Sequence, residues 1–260
     1  MASREPGDLP SANGRFAHPS SESSRGGRGQ GTRMHIEPGV VEGAKIFLSY
    51  ATAVGAFGLT AKLARDAIRD NGGVTALALR SLLTTALVFC FFEVLPHHPM
   101  GVSEVHLILG STLLLLFGAG AAAIGLAAGL LLQGVLFAQF DLPQYGMNVT
   151  TLLLPLWGIS LLAKRIVAPG TAYVDLSYKQ ALALSTAYQG GIVAWVAFWA
   201  FYGQGFAGEN LVAVASFGLA YMSVILVEPL IDLGVLAAAK ALSRFSQGPL
   251  FNVRLHHSAA

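Results

Sequence analysis

The chain has 260 residues, 54% of them hydrophobic and 12% charged, with 30 glycines and a mean hydropathy of +0.60. An ordinary soluble domain carries roughly 25% charge, so this composition excludes a water-soluble globule and points to a membrane protein. The single cysteine, Cys90, excludes a disulfide framework within the chain, and the net charge of +2 sits wholly in residues 1–33, where five arginines oppose Glu5, Asp8 and Glu22. The other 227 residues balance 11 basic against 11 acidic groups. No basic patch is left to take nucleic acid as a partner.

Residues 1–33 hold six Gly, six Ser and three Pro, with Leu9 and Phe16 their only large apolar side chains. Such a segment buries too little to offset its ordering entropy and is expected to be disordered. It has no apolar core of a secretory signal. Composition changes abruptly at Met34, which suggests that the working chain starts there. Seven apolar stretches follow, near 44–64, 74–95, 105–117, 119–138, 147–163, 181–202 and 211–239, each near or at the length that crosses about 30 Å of hydrocarbon. The third is short, and the Phe117-Gly-Ala-Gly-Ala run beside it reads as a tight turn or a helix contact. The expected fold is therefore an all-α membrane protein of seven transmembrane helices over 34–240, followed by a cytoplasmic tail at 241–260.

Basic residues orient it. Lys62, Arg65 and Arg69 follow span one, Lys164, Arg165 and Lys179 follow span five, and Lys240, Arg244 and Arg254 follow span seven, whereas loops 96–104, 139–146 and 203–210 have no Lys or Arg. This places the N-terminus outside and the C-terminus inside, in a bacterial cytoplasmic (inner) membrane. Arg80, early in span two, snorkels to the inner side in this reading. The five-arginine segment would then lie outside, against the bias, which again favours Met34 as the start.

His35, His97, His98 and His106 all fall on the outer side in this topology, enough to suggest a metal site. If Met34 begins the chain, its α-amine, the backbone nitrogen of His35 and the His35 imidazole form fused chelate rings. Another imidazole can complete a planar set of four nitrogens, which suits Ni(II) or Cu(II). The competing reading is an ordinary lipid-surface turn before span one.

Three motifs then carry a resemblance: Met34-His35-Ile36 with Pro38-Gly39; Pro99-Met-Gly101-Val-Ser103-Glu-Val-His106-Leu107; and Leu132-Gln133-Gly-Val-Leu136-Phe137 with Gly146-Met147-Asn148. In order and spacing they resemble the CbiM/NikM family, the substrate-binding membrane subunits of energy-coupling factor cobalt/nickel transporters, over roughly 34–240. The resemblance implies uptake of Ni²⁺ or Co²⁺ as a bound substrate, with no permanent cofactor. It implies metal ligands at Met34, His35 and His106, and a pocket that includes Ser103, Gly146 and Asn148, the Asn orienting a ligand. The implied partners, besides membrane lipid, are a transmembrane coupling protein and ATP-binding subunits. Loop 96–106, with Pro96, Pro99 and Gly101, is the expected lid. Glu37, Met100, Val102 and Met222-Ser223 depart from the family pattern.

Glu228 and Asp232, one helical turn apart in the last span, share a helix face. Intramembrane acids are usually paired, so a structural ion pair with Arg80 is expected. Glu93 either faces the site or snorkels. The Gly/Ala runs Ala51–Gly58 and Gly118–Gly129 permit close helix packing, internal or against a partner. No Gly-x-x-x-x-Gly-Lys-Ser/Thr loop occurs, so energy for transport must come from another subunit, and the chain is expected not to be an enzyme. Two alternatives stay open. One is an energy-coupling subunit for an organic vitamin. The other is an intramembrane serine hydrolase built on Ser103 and His106, which needs a base beside its nucleophile.

Overall fold

The computed structural model describes residues 36, 39–169, 171–246 and 248–256. Its long helices are α1 (Ile46–Asp70), α2 (Gly73–Val94), α4 (Ala119–Leu136), α5 (Tyr145–Ile166), α6 (Tyr178–Gln204) and α7 (Gly208–Ala241); a short α3 (Gly110–Phe117) precedes α4. Six segments are long and apolar enough to cross a membrane: Gly43–Asp70, Gly73–Val94, Ala119–Leu136, Gln139–Ile166, Tyr178–Gln204 and Gly208–Ala241. The chain is a multi-pass membrane protein.

The third expected span is built differently. Between α2 and α3 the chain forms an antiparallel hairpin, β1 (His97–Met100) and β2 (Ser103–His106), so the fold is not purely helical. Only eight residues of 105–117 are helical, about 12 Å at 1.5 Å per residue. The break before α3 is Leu109, at φ +56° the one described non-glycine residue with positive φ. The break after it is Gly118 at φ +84°, a conformation glycine adopts without a Cβ clash. Gly118 lies beside the Asn71 and Asn252 amides, which bond to each other at 3.1 Å. Because α2 runs from beside Asn71 to the hairpin, about 33 Å away along the helix, residues 107–117 lead from one end of the bundle to the other.

The Gly/Ala run of α4 packs internally. A Cβ on Gly120 would stand 2.8 Å from the Leu63 carbonyl of α1, and one on Gly129 2.6 Å from Val88 Cγ1 of α2. The hydroxyl of Thr84 donates to the Ala121 carbonyl at 2.8 Å. Small residues let the backbones of α1, α2 and α4 approach closely, the usual source of helix cohesion in lipid. The outward face of α1, with Phe47, Val54 and Phe57, stays exposed.

Both ends are tied by polar contacts. At the hairpin end Lys45 donates to the Tyr202 and Gly203 carbonyls at 3.0 and 2.8 Å, a cation at the α6 C-terminus where carbonyls lack helix partners. Asn210 donates to the Ala200 and Gly205 carbonyls across the α6–α7 turn. At the other end α6 opens on a capping box, Ser177 with Gln180. There Arg254 donates to the carbonyls of Val167, Ala168 and Thr171, and Phe251 stacks on Phe117.

Candidate metal centre

The hairpin presses one strand into the bundle. At its turn Gly101 has φ +65°, and a Cβ there would collide with the Ala213 carbonyl of α7. Hence β2 is buried save for the half-covered Val105, while β1 is largely exposed. His106 is 7% exposed, its ring edge-on to Phe92 at 5.1 Å between centroids. Its carbonyl accepts from the Tyr221 hydroxyl at 3.4 Å. His97 stands opposite His106 in the register but is half-buried, and His98 is exposed, so neither joins the pocket lining.

Asn148, on the first turn of α5 and 3% exposed, accepts a hydrogen bond from the Ile36 backbone N–H at 3.2 Å. Ile36 is itself fully buried, and Val40 and Val41 pack into the same core. The chain just after His35 is thereby fixed in one cavity with His106. Ser103, Glu104 and Thr151 add polar groups to that cavity, and Ile192, Val196 and Phe217 close it with apolar surface. Its volume is about 20 Å³, room for one water-sized particle and far below the several hundred Å³ of an organic ligand site.

Of the sequence-predicted residues, Ser103, His106 and Asn148 meet here. Met34 and His35 lie outside the described residues. Gly146 does not line the cavity; a Cβ on it would stand 2.8 Å from the Ser49 carbonyl, so it serves the contact between α1 and α5. Glu93 is also absent from the lining and is half-buried. Among the described residues no three His, Cys, Asp or Glu side chains converge as a metal site.

The expected ion pair of Arg80 with Glu228 and Asp232 does not form. Arg80 is fully buried, and its guanidinium donates to the carbonyls of Ala76, Phe117 and Asn71. Two of these end α3 and α1, where unpaired carbonyls and the negative end of the helix dipole favour a cation. Glu228 and Asp232 instead take hydroxyl and amide donors from α3 and α6. Ser111 donates to Asp232 at 2.7 Å and Ser185 to Glu228 at 3.2 Å.

Sequence reasoning missed Glu104 and Tyr221 as lining residues. Read as a strand, 103–106 puts Glu104 and His106 on one face by the two-residue period. Tyr221 had no local signal; only the crossing of α7 behind β2 brings it there.

Six apolar helices and a small cavity of mixed polar and apolar lining near one end define a multi-pass membrane protein with a candidate site. The model of the CbiM family, described as the cobalt uptake substrate-specific transmembrane region, matches residues 35–244. The chain belongs to that family and is a membrane component of cobalt uptake. Comparison with curated proteins and with solved structures finds no match.

Proposed function

We propose that this chain is the substrate-specificity subunit of an energy-coupling factor transporter that takes up Ni²⁺ or Co²⁺. The observation that carries the reading is the bond from Ile36 N–H to Asn148 within the cavity that holds His106. It fixes the residue that follows His35 in the same cavity as the His106 imidazole. In a chain that begins at Met34, the α-amine, the His35 backbone and imidazole nitrogens and the His106 imidazole form the planar set that Ni(II) favours and Co(II) accepts. Ser103 and Asn148 surround it. The cavity's small size supports a bare ion over an organic vitamin, and nothing in the geometry favours a hydrolase.

The hairpin end faces outward in this reading, since its connecting loops 96–104, 139–146 and 203–210 lack Lys and Arg, Lys45 being its basic residue before α1, while the opposite end carries most of them. Segment 107–117 makes the third of seven passes, part extended and part α3, leaving the N-terminal side of α1 outside and the C-terminus inside. A transmembrane coupling protein and ATP-binding subunits supply the energy, and reorientation opens the pocket inward from a bacterial cytoplasmic membrane. The hairpin, seated on α7 at Gly101, is the lid.

The test is Co²⁺ and Ni²⁺ affinity by calorimetry on two purified forms, one beginning at Met1 and one at Met34, each with and without His106→Ala. The expected result is tight one-to-one binding by the Met34 form, lost by at least a hundredfold in His106→Ala without a change in thermal unfolding. Unchanged affinity in that variant removes the assignment. Equal binding by both forms removes the amine as a ligand.

A further inference from the structure

We propose that Glu228 and Asp232 form a second, oxygen-ligated site for a divalent cation, one to three helical turns inward of the histidine pocket. Both carboxylates are fully buried. Among the described residues the ion pairs are Lys62–Asp66 and Lys240–Asp175, and Arg80 is engaged by backbone carbonyls. Two adjacent buried carboxyl groups are therefore surrounded by neutral partners alone. Such a pair either holds protons or takes a compensating cation.

The donor count points the same way. Ser111 has one hydroxyl proton yet lies within 2.7 Å of Asp232 and 3.4 Å of Glu228, so it serves one carboxylate at a time. Thr112 bonds Asp232, and Ser185 and the Gln189 amide bond Glu228. Oxygen capacity remains over: Gln189 Oε1, fully buried beside the amide nitrogen that holds Glu228, has no hydrogen-bond partner. The Tyr188 hydroxyl, equally buried and lying on the backbone of Gly110 next to Ser111, has none either. Two fully buried oxygens without hydrogen-bond partners thus accompany the two carboxyls, an arrangement that a cation can complete. Pro229 adds a further acceptor, because it cannot donate to the Ile225 carbonyl one turn back.

The two centres are linked along three elements. On α6, Ile192 and Val196 line the pocket while Gln189 and Ser185 lie inward of them. On α7, Tyr221 lines the pocket and Glu228 follows seven residues on, about 10 Å at 1.5 Å per residue. The strap from His106 through the strained Leu109 to Ser111 joins β2 to α3. Carboxylates and hydroxyls suit hard divalent ions and hold Ni²⁺ or Co²⁺ less tightly than imidazole does. On the transport reading above, such a place receives the ion once the outer pocket loosens.

Mn²⁺ alone is the probe, because it prefers oxygen ligands and its free-ion electron paramagnetic signal is lost on binding. Titrations use the full chain in detergent as wild type, His106→Ala, Glu228→Gln, Asp232→Asn and the milder Ser185→Ala. The expected result is one Mn²⁺ per chain in wild type and His106→Ala, with binding at least tenfold weaker in Glu228→Gln and Asp232→Asn and a few-fold weaker in Ser185→Ala. Mn²⁺ should also raise the unfolding temperature of wild type and His106→Ala but not of Glu228→Gln. Absence of Mn²⁺ binding to the wild type, or binding indifferent to all three cluster substitutions, overturns the proposal and leaves a pair of carboxyls holding protons. Loss of Mn²⁺ with His106→Ala overturns it too, by placing the ion in the outer pocket. Co²⁺ binding that ignores His106→Ala overturns the transport-site reading instead and leaves the Mn²⁺ result standing.

Discussion

Replacing Asn148 by alanine should weaken Co²⁺ binding while leaving the bundle intact. The side chain's oxygen is the acceptor for the Ile36 N–H at 3.2 Å, and both residues are buried. Truncation leaves that N–H without a partner in a cavity too small to admit several waters. An unsatisfied buried donor costs about 1–3 kcal/mol, and every ~1.4 kcal/mol is tenfold in an equilibrium. If the docked form of the segment around Ile36 is the form that binds metal, affinity falls by about 5- to 150-fold through that population alone. Asn148 sits on the first turn of α5, so the core of the bundle is little affected. Calorimetry gives the affinity, and thermal unfolding in the same detergent gives the stability. Affinity within twofold of wild type would refute the docking argument. A loss that merely follows a large drop in unfolding temperature would refute it as well, because the effect would then be global.

Three further outcomes follow from the packing and the ligand chemistry. Arg80→Met strands the Asn71 and Phe117 carbonyls at the ends of α1 and α3 and should lower stability by roughly 2–4 kcal/mol; thermal unfolding reads it, and Arg80→Lys, with one compact donor group, should recover only part. Gly129→Leu drives a side chain into Val88, where the Cβ alone would stand at 2.6 Å, and should cost about 1–3 kcal/mol or more. Gly158→Leu, with nothing within 4 Å of the added carbon, is the control that should unfold at the wild-type temperature. Imidazole ligands bind metal only when neutral, and an ordinary histidine protonates near pH 6.5. Co²⁺ affinity should thus be full at higher pH and fall as acid protonates the ligand nitrogens, measured by titration at fixed ionic strength; affinity that is flat from pH 8 to 5 would speak for oxygen ligands.

The long apolar segments were legible in the sequence because lipid imposes one rule over the whole length of a span. Every backbone polar group must be satisfied within the helix, so about 20 apolar residues announce a crossing. The expected stretches 44–64, 74–95, 119–138, 147–163, 181–202 and 211–239 each fall on a helix of the structure. The family was legible too, through Met34-His35-Ile36, the Ser103–His106 loop and Gly146-Met147-Asn148, because motifs of fixed order and spacing survive without knowledge of the fold.

Only the tertiary structure decided the rest. A 13-residue apolar stretch is compatible with one short continuous helix or with a strand and half a helix; the hairpin's pairing and the left-handed turns at Leu109 and Gly118 select the second. Charge complementarity alone assigned Arg80 to Glu228 and Asp232. In the fold the ends of α1 and α3 offer Arg80 two carbonyls and its own helix a third, while hydroxyls of α3 and α6 reach the acids first. Gly146 matched a pocket motif but serves a helix contact. Hydropathy and spacing act along the chain, whereas a partner's identity depends on which helices cross, and that is settled by the packing of small residues across α1, α2 and α4.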